Sequence, residues 1–174
     1  MNIEISDKAK QVAMHKSMFD RSREAIDQGF YLEAVFIEYA AIESRLEVML
    51  GVLGAPCNRY LPPEERKKYN ISQRVACLKR VFDSNESIFG KSKLTKKDFT
   101  NLKNWLEKRN RYVHGLFKRE IEYKARLSDK ALAEAGLEIC TKLYNETNRL
   151  KRLSKQSPEL FEHLNACAKG DCRK

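Results

Sequence analysis

With 174 residues, the chain is long enough to fold as one domain with a substantial buried core. Hydrophobic residues make up 42% of it and charged residues 33%, which is typical of a globular protein with a densely charged surface. Its apolar runs fall well short of the roughly 20 residues that a membrane helix needs, and its N-terminus does not resemble a secretory signal. We therefore expect a cytoplasmic protein with no membrane partner.

The net charge of +10 is concentrated in one part of the chain. Residues 91–126 contain twelve lysines and arginines but only four acidic residues. A concentrated positive field attracts polyanions and accelerates their encounter, so this block favours a polyanionic partner. A solvated basic face without a ligand is the alternative interpretation of the charge alone.

Five cysteines are spread widely along the sequence, as expected for reduced thiols rather than a disulfide framework. His163, Cys167 and Cys172 lie near one another in sequence but lack a fourth ligand and a close cysteine pair. We therefore predict no metal site, and the sequence indicates no cofactor.

The N-terminal half predicts two long helices. Apolar residues at helical spacing place the first from about Ser6 to Gln28 and the second from about Phe30 to Leu53. Gly29 separates the two, and Gly54 ends the second. Because the connection is so short, we expect these helices to pack as an antiparallel hairpin.

The remaining elements are shorter and are separated by polar or proline-containing segments. Thr95 and Asp98 match a capping box at the start of the helix that carries the basic block. The predictions in chain order are a loop at 55–70, a helix at 72–83, a polar loop at 84–94, a helix from Thr95 to about Val113, an extended or irregular segment at 117–127, a long helix at 128–153 and a short helix opened by Ser157-Pro158. The fold class is therefore all-α, a bundle of five to six helices over residues 1–153, followed by a short C-terminal helix and tail at 154–174.

The stretch EKRNRYVHGLF, residues 107–117, closes the helix that begins at Thr95. At about 100° per residue, Arg109 falls on one edge of that helix's apolar stripe, and Asn110 and His114 fall on the other. Trp105 lies next to the stripe and is expected in the core. His114 is expected near the negative end of the helix dipole, and a histidine can move protons near neutral pH.

A half-buried arginine needs a partner, because unpaired buried polar groups cost a few kcal/mol. Glu43, which falls inside the apolar arc of the second helix, could supply it, so a Glu43–Arg109 ion pair is one interpretation. The other is that Arg109 is left ready for a substrate, with Glu43 supporting it.

The motif Arg109-Asn110-x-x-x-His114, at the end of a helix in an all-α chain, resembles that of the HEPN superfamily (higher eukaryotes and prokaryotes nucleotide-binding). Many members of that family are metal-independent endoribonucleases that serve as toxins or antiphage effectors. The resemblance implies a homodimer in which the motifs of two chains face each other across one cleft. It also implies RNA cleavage by attack of a 2′-hydroxyl on the adjacent phosphate.

By this resemblance, the catalytic residues are Arg109, Asn110 and His114. Arg109 is expected to stabilise the charge on the phosphate, His114 to act as general base or acid, and Asn110 to orient one of them. The residues expected to bind substrate are Lys108, Arg111, Tyr112, Lys118 and Arg119, with Tyr112 able to stack on a base.

Two other functions remain open at this point. Some members of the family are non-catalytic modules that bind a nucleotide, RNA or protein, often beside a nucleotidyltransferase-like partner; for a toxin, the partner is an antitoxin. The third possibility is a structural helical dimer without a ligand.

Overall fold

The computed structural model describes residues 7–54, 70–118 and 126–162, with side chains described for 17–54, 70–115 and 129–162. Over these ranges the secondary structure is helical, without a strand, as predicted for an all-α bundle. The helices are α1 (Asp7–Asp27), α2 (Tyr31–Val52), α3 (Ile71–Ser84), α4 (Glu86–Phe89), α5 (Lys96–Lys118) and α6 (Arg126–Gln156). In the same ranges, none of these helices combines the length and apolarity required to cross a bilayer.

A sharp turn at Gly29 connects α1 to α2. Gly29 has a φ of +79°, a conformation that glycine adopts without steric penalty, and the next amide, of Phe30, donates to the Ala25 carbonyl at 2.7 Å. The two helices then run side by side, linked by a hydrogen bond from Ser22 to Glu38. The predicted hairpin and its glycine are confirmed.

Helix α2 is the centre of the bundle and packs against α1, α3 and α6. Its fully buried apolar side chains follow one helical stripe: Val35, Ile42, Leu46 and Met49. Two polar residues that periodicity did not place in the core, Glu38 and Arg45, are also buried. Phe36, an apolar residue of the same helix, is by contrast 44% exposed.

Helices α2 and α5 approach α6 closely at Gly136. A Cβ atom at this position would lie 2.8 Å from Glu38 Cδ and 2.8 Å from Trp105 Cζ2, closer than real Cβ contacts. The Trp105 indole N–H also donates to the Leu132 carbonyl of α6 at 2.8 Å. Trp105 is therefore a core residue, as predicted, and it fixes α5 against α6.

Helix α5 begins as the sequence predicts but ends later. Thr95 and Asp98 form the reciprocal capping contacts, and Asp98 also accepts a hydrogen bond from Lys142 of α6 at 2.8 Å. The helix continues to Lys118, five residues beyond the expected end at Val113. His114 therefore precedes the last turn, and the expected effect of the helix dipole on it is weaker, because that effect falls off within the last turn.

Three further boundaries differ from expectation. The predicted polar loop at 84–94 contains the single turn of α4, because Ile88 and Phe89 are buried. The segment 117–127, predicted as extended or irregular, is helical at 117–118 and 126–127, and its centre lies outside the described residues. Helix α6 passes through residue 153 to Gln156, and residues 159–162 form the predicted last helical turn. Phe161 in that turn joins the core.

Glu38 is a buried acid at the junction of three helices. Its Oε1 accepts a hydrogen bond from Ser22, while Oε2 has no partner among the described residues. Burial raises the pKa of Glu38 to about 8, an effect only partly offset by the Ser22 hydroxyl. The carboxyl is therefore protonated in the folded protein at neutral pH.

We predict that Gly136→Ala destabilises the protein by about 1–3 kcal/mol, because the new methyl group has no space between Glu38 and Trp105. Gly51→Ala is the matched control: its Cβ meets nothing within 4 Å, and alanine in a helix is favoured over glycine by about 0.5–1 kcal/mol. Urea unfolding of both variants measures the difference. Equal effects at the two positions would contradict the close packing at Gly136.

We predict that the free energy of unfolding decreases with pH between about pH 5 and pH 8 more steeply in the wild type than in Glu38→Gln. In this window the unfolded state has lost the Glu38 proton and the folded state retains it, so each pH unit removes up to about 1.4 kcal/mol of stability. Denaturation at a series of pH values measures both slopes. Parallel profiles would mean that Glu38 ionises normally in the folded protein.

Candidate functional site

Arg109 lies on α5, one helical turn beyond Trp105, and is half-buried. Its guanidinium carbon is 4.1 Å from the centre of the Tyr39 ring and 5.4 Å from that of Phe36, both on α2. Nη1 donates to Asn110 Oδ1 at 3.2 Å, and the buried Nε has no hydrogen-bond partner among the described residues. Arg109 is thus held by two aromatic faces and one neutral amide.

The ion pair between Glu43 and Arg109, one of the two interpretations of the sequence, does not form among the described residues. Glu43 Oε1 lies 3.6 Å from Nη1 of Arg74 on α3, and Glu47 approaches the same nitrogen at 3.6 Å. Within the described ranges, Arg109 makes no salt bridge. Glu43 therefore braces α2 against α3, and the arginine of the motif keeps its charge uncompensated by those residues.

Asn110 and His114 are both exposed on α5. They are four residues apart, so their side chains are neighbours on the helix surface. Asn110 contacts Arg109 directly, as noted above, whereas the imidazole of His114 makes no hydrogen bond to a described residue. The three motif residues therefore share one accessible region, with Arg109 the most constrained of them.

Tyr112, predicted to bind substrate, lies where α5 meets α6. It is half-buried against the core, and its hydroxyl donates to Asp129 Oδ2 of α6 at 3.0 Å. Burial, followed by the hydrogen bond and the charge of Asp129, raises the pKa of Tyr112 to about 12. Its contacts tie α5 to α6, so only the exposed part of its ring is available for stacking on a ligand.

A groove of about 730 Å³ runs between α5 and α6. Three of the predicted substrate-binding residues, Lys108, Arg111 and Tyr112, line it, together with the amides Asn101 and Asn104. Arg109, Asn110 and His114 are outside its lining. Lys118 and Arg119, also expected to bind substrate, have side chains outside the described residues.

The carboxylates of the groove already have partners. Asp98 and Glu138 both contact Lys142 Nζ at 2.8 Å, and Asp129 accepts from Tyr112. The contact with Lys142 and the Thr95 contacts hold the pKa of Asp98 below its usual value, despite the opposing effect of its burial. Lys108 and Arg111, by contrast, form no ion pair with a described residue.

Charged, amide and imidazole groups of this kind bind anions and transfer protons. The planar guanidinium of an arginine binds phosphate oxygens through two parallel hydrogen bonds, and an exposed histidine can exchange a proton with water or a ligand. Among the described residues, no group of three or more histidine, cysteine or acidic side chains is placed to hold a metal ion. The candidate cluster of His163, Cys167 and Cys172 lies outside those residues.

Periodicity within α5 did not reveal the aromatic support of Arg109, because Phe36 and Tyr39 belong to another helix. The polar residues of the groove, by contrast, form a pattern within a single helix. Asn101, Asn104, Lys108 and Arg111 recur at spacings of three and four residues, which places them on one face of a helix. This polar pattern is a signal that the basic charge alone does not convey.

Comparisons with protein-family models, with curated proteins and with solved structures found no match to this chain.

We predict a coupling free energy of about 1 kcal/mol between Arg109 and Tyr39 in a double-mutant cycle, because a cation on an aromatic face contributes about 0.5–2 kcal/mol. The cycle combines Arg109→Gln with Tyr39→Leu and is measured by denaturant unfolding. The control cycle pairs Arg109→Gln with Glu43→Gln and should be additive within about 0.5 kcal/mol. A larger coupling of Arg109 with Glu43 than with Tyr39 would contradict the aromatic support and favour the ion pair.

Proposed function

We propose that the protein is a metal-independent endoribonuclease of the HEPN type, acting as a toxin or antiphage effector, with Arg109, Asn110 and His114 as its catalytic residues. The observation that supports this proposal most directly is the state of Arg109. Two aromatic rings orient its guanidinium, and no described carboxylate neutralises it. A preorganised cation of this kind suits a site where negative charge develops in a transition state.

The proposed reaction begins with the 2′-hydroxyl of a ribose attacking the adjacent phosphorus. The hydroxyl loses its proton, a bond forms between O2′ and phosphorus, and the bond from phosphorus to the 5′-oxygen breaks. His114 takes the proton from the nucleophile or gives one to the leaving oxygen. The products are a 2′,3′-cyclic phosphate and a free 5′-hydroxyl.

Arg109 and Asn110 have different tasks in this proposal. Arg109 binds the non-bridging phosphate oxygens and stabilises their added charge. Asn110 accepts a hydrogen bond from Arg109, which leaves its amide N–H₂ available to the phosphate or the imidazole.

A homodimer would bring two copies of the motif together. The exposed ring of Phe36 lies beside Arg109, and an exposed aromatic next to a polar site is the composition that protein interfaces favour. Two such surfaces related by a twofold axis would form one cleft with paired arginines and histidines.

A second candidate function is a non-catalytic module that binds a nucleotide, RNA or protein, with a nucleotidyltransferase-like protein or an antitoxin as partner. The exposure of His114 favours it, because no described residue orients the imidazole as catalysis requires. In that case Arg109 would bind a phosphate without cleaving it.

We expect the purified chain to cleave labelled single-stranded RNA in EDTA and to leave 2′,3′-cyclic phosphate ends. Arg109→Ala and His114→Ala should each lower the rate by at least about 100-fold, because each removes a transition-state contact or a proton transfer. Gel electrophoresis of the RNA and chemical analysis of its ends measure rate and product.

The matched control is Lys103→Ala, an exposed cation on the same helix that belongs to neither the motif nor the groove. It should cleave at the wild-type rate. Equal cleavage by the wild type and both motif variants would identify a contaminating nuclease. RNA that stays intact in the presence of a folded wild-type chain would favour the binding module, and a monomeric mass at micromolar concentration would remove the composite cleft.

A further inference from the structure

The groove between α5 and α6 has two chemically different walls. The α5 wall carries Asn101, Asn104, Lys108 and Arg111, all exposed and polar. The α6 wall carries the charged Asp129, Glu138 and Lys142, and in addition small or apolar side chains that include the exposed Ala131 and Ala135 and the half-buried Ile139. A ligand that fits both walls is itself two-sided, with anionic groups on one side and flat apolar surfaces on the other.

The polar wall leads to the proposed catalytic histidine. Arg111 and His114 are three residues apart and therefore adjacent on the helix surface. From Asn101 to His114, the helix rises by about 20 Å, a span that accommodates a few nucleotides of extended chain. Arg111 is thus positioned between the groove and the motif.

The two ends of the groove differ in their net charge. At the end near Asp98, Asp98 and Glu138 share the single ammonium of Lys142 through 2.8 Å contacts, which leaves a net negative charge there. At the end near the motif, Lys108 and Arg111 form no ion pair with a described residue, and the carboxylate of Asp129 accepts a hydrogen bond from the Tyr112 hydroxyl. Anionic groups are therefore favoured toward His114, and uncharged amide contacts are favoured at the other end.

We infer that this groove binds the single strand of RNA that flanks the scissile phosphate. Lys108 and Arg111 hold its phosphates, Asn101 and Asn104 hydrogen-bond to base edges, and the alanines and Ile139 of α6 contact the base faces. The inference deepens the proposed function and rests on RNA as the substrate. An RNA duplex fits poorly, because its bases are paired and stacked inward and offer no face to the α6 wall.

The test is the binding of a fluorescent oligoribonucleotide with 2′-O-methyl groups, which cannot undergo attack by a 2′-hydroxyl. Anisotropy is measured at several salt concentrations for the wild type and for Lys108→Gln combined with Arg111→Gln. We expect the double variant to bind at least about 10-fold more weakly and to lower the slope of log K against log salt by about 1.4, or about 0.7 for each lost phosphate contact.

The charge-matched control is Arg80→Gln combined with Lys91→Gln, which removes two exposed cations outside the groove. It should bind like the wild type, with an unchanged salt slope. A second variant, Lys108→Arg with Arg111→Lys, preserves both charges and should retain most of the affinity. Equal weakening by the groove and control doubles would overturn the inference, because a diffuse positive field would then explain binding.

Two competitors test the identity of the ligand. Duplex RNA of the same sequence and a mixture of nucleoside monophosphates should each compete at least about 10-fold less well than the single strand, because neither supplies exposed bases and consecutive phosphates together. Competition by either at the level of the single strand would overturn the assignment of a strand.

The binding and cleavage results separate this inference from the nuclease proposal. If the wild type leaves unmodified RNA intact but the groove double variant loses affinity, the nuclease proposal is contradicted and the groove inference is supported. If RNA is cleaved and the groove double variant binds and cleaves normally, the groove inference is contradicted and the nuclease proposal is supported.

Discussion

The missing side chain at Gly136 allows three helices to meet at one point. Glu38 of α2 and Trp105 of α5 both lie against the backbone of α6 there, within a distance that any Cβ would obstruct. Trp105 is fixed further by its hydrogen bond to the Leu132 carbonyl. Because Arg109 follows Trp105 by one turn, this contact also determines where its guanidinium meets Tyr39 and Phe36. Packing in the core therefore sets the position of the motif.

The interior of the bundle also contains buried ionisable side chains, among them Glu38 and Arg45. Glu38 is kept neutral by burial, and Arg45 is buried with its guanidinium over the Tyr144 ring, where burial lowers its pKa. Arg109, at the edge of the core, likewise packs on an aromatic ring, that of Tyr39. Aromatic faces rather than carboxylates thus accommodate Arg45 and Arg109, and Arg109 is the more accessible of the two to a ligand.

The sequence predicted most of the fold because the signals for it are local. Helical spacing, the turn at Gly29 and the capping box of Thr95 and Asp98 each depend on residues close in sequence, and the structure confirms them. Burial of Glu38 could not be predicted in this way, since it depends on Ser22 and Gly136 from other helices. The pairing of Glu43 with Arg109 that the sequence suggested was wrong for the same reason, because angular position on one helix does not identify which neighbouring helix supplies the opposite charge.

The continuation of α5 beyond His114 places the whole motif inside regular helix. Its internal geometry is consequently set by helical backbone hydrogen bonds rather than by a loop that could adapt. One residue inserted between Arg109 and His114 would rotate the imidazole by about 100° around the helix axis relative to the guanidinium. A change in the number of residues between them therefore alters the relative orientation of the two groups more than a change of residue type at the intervening positions.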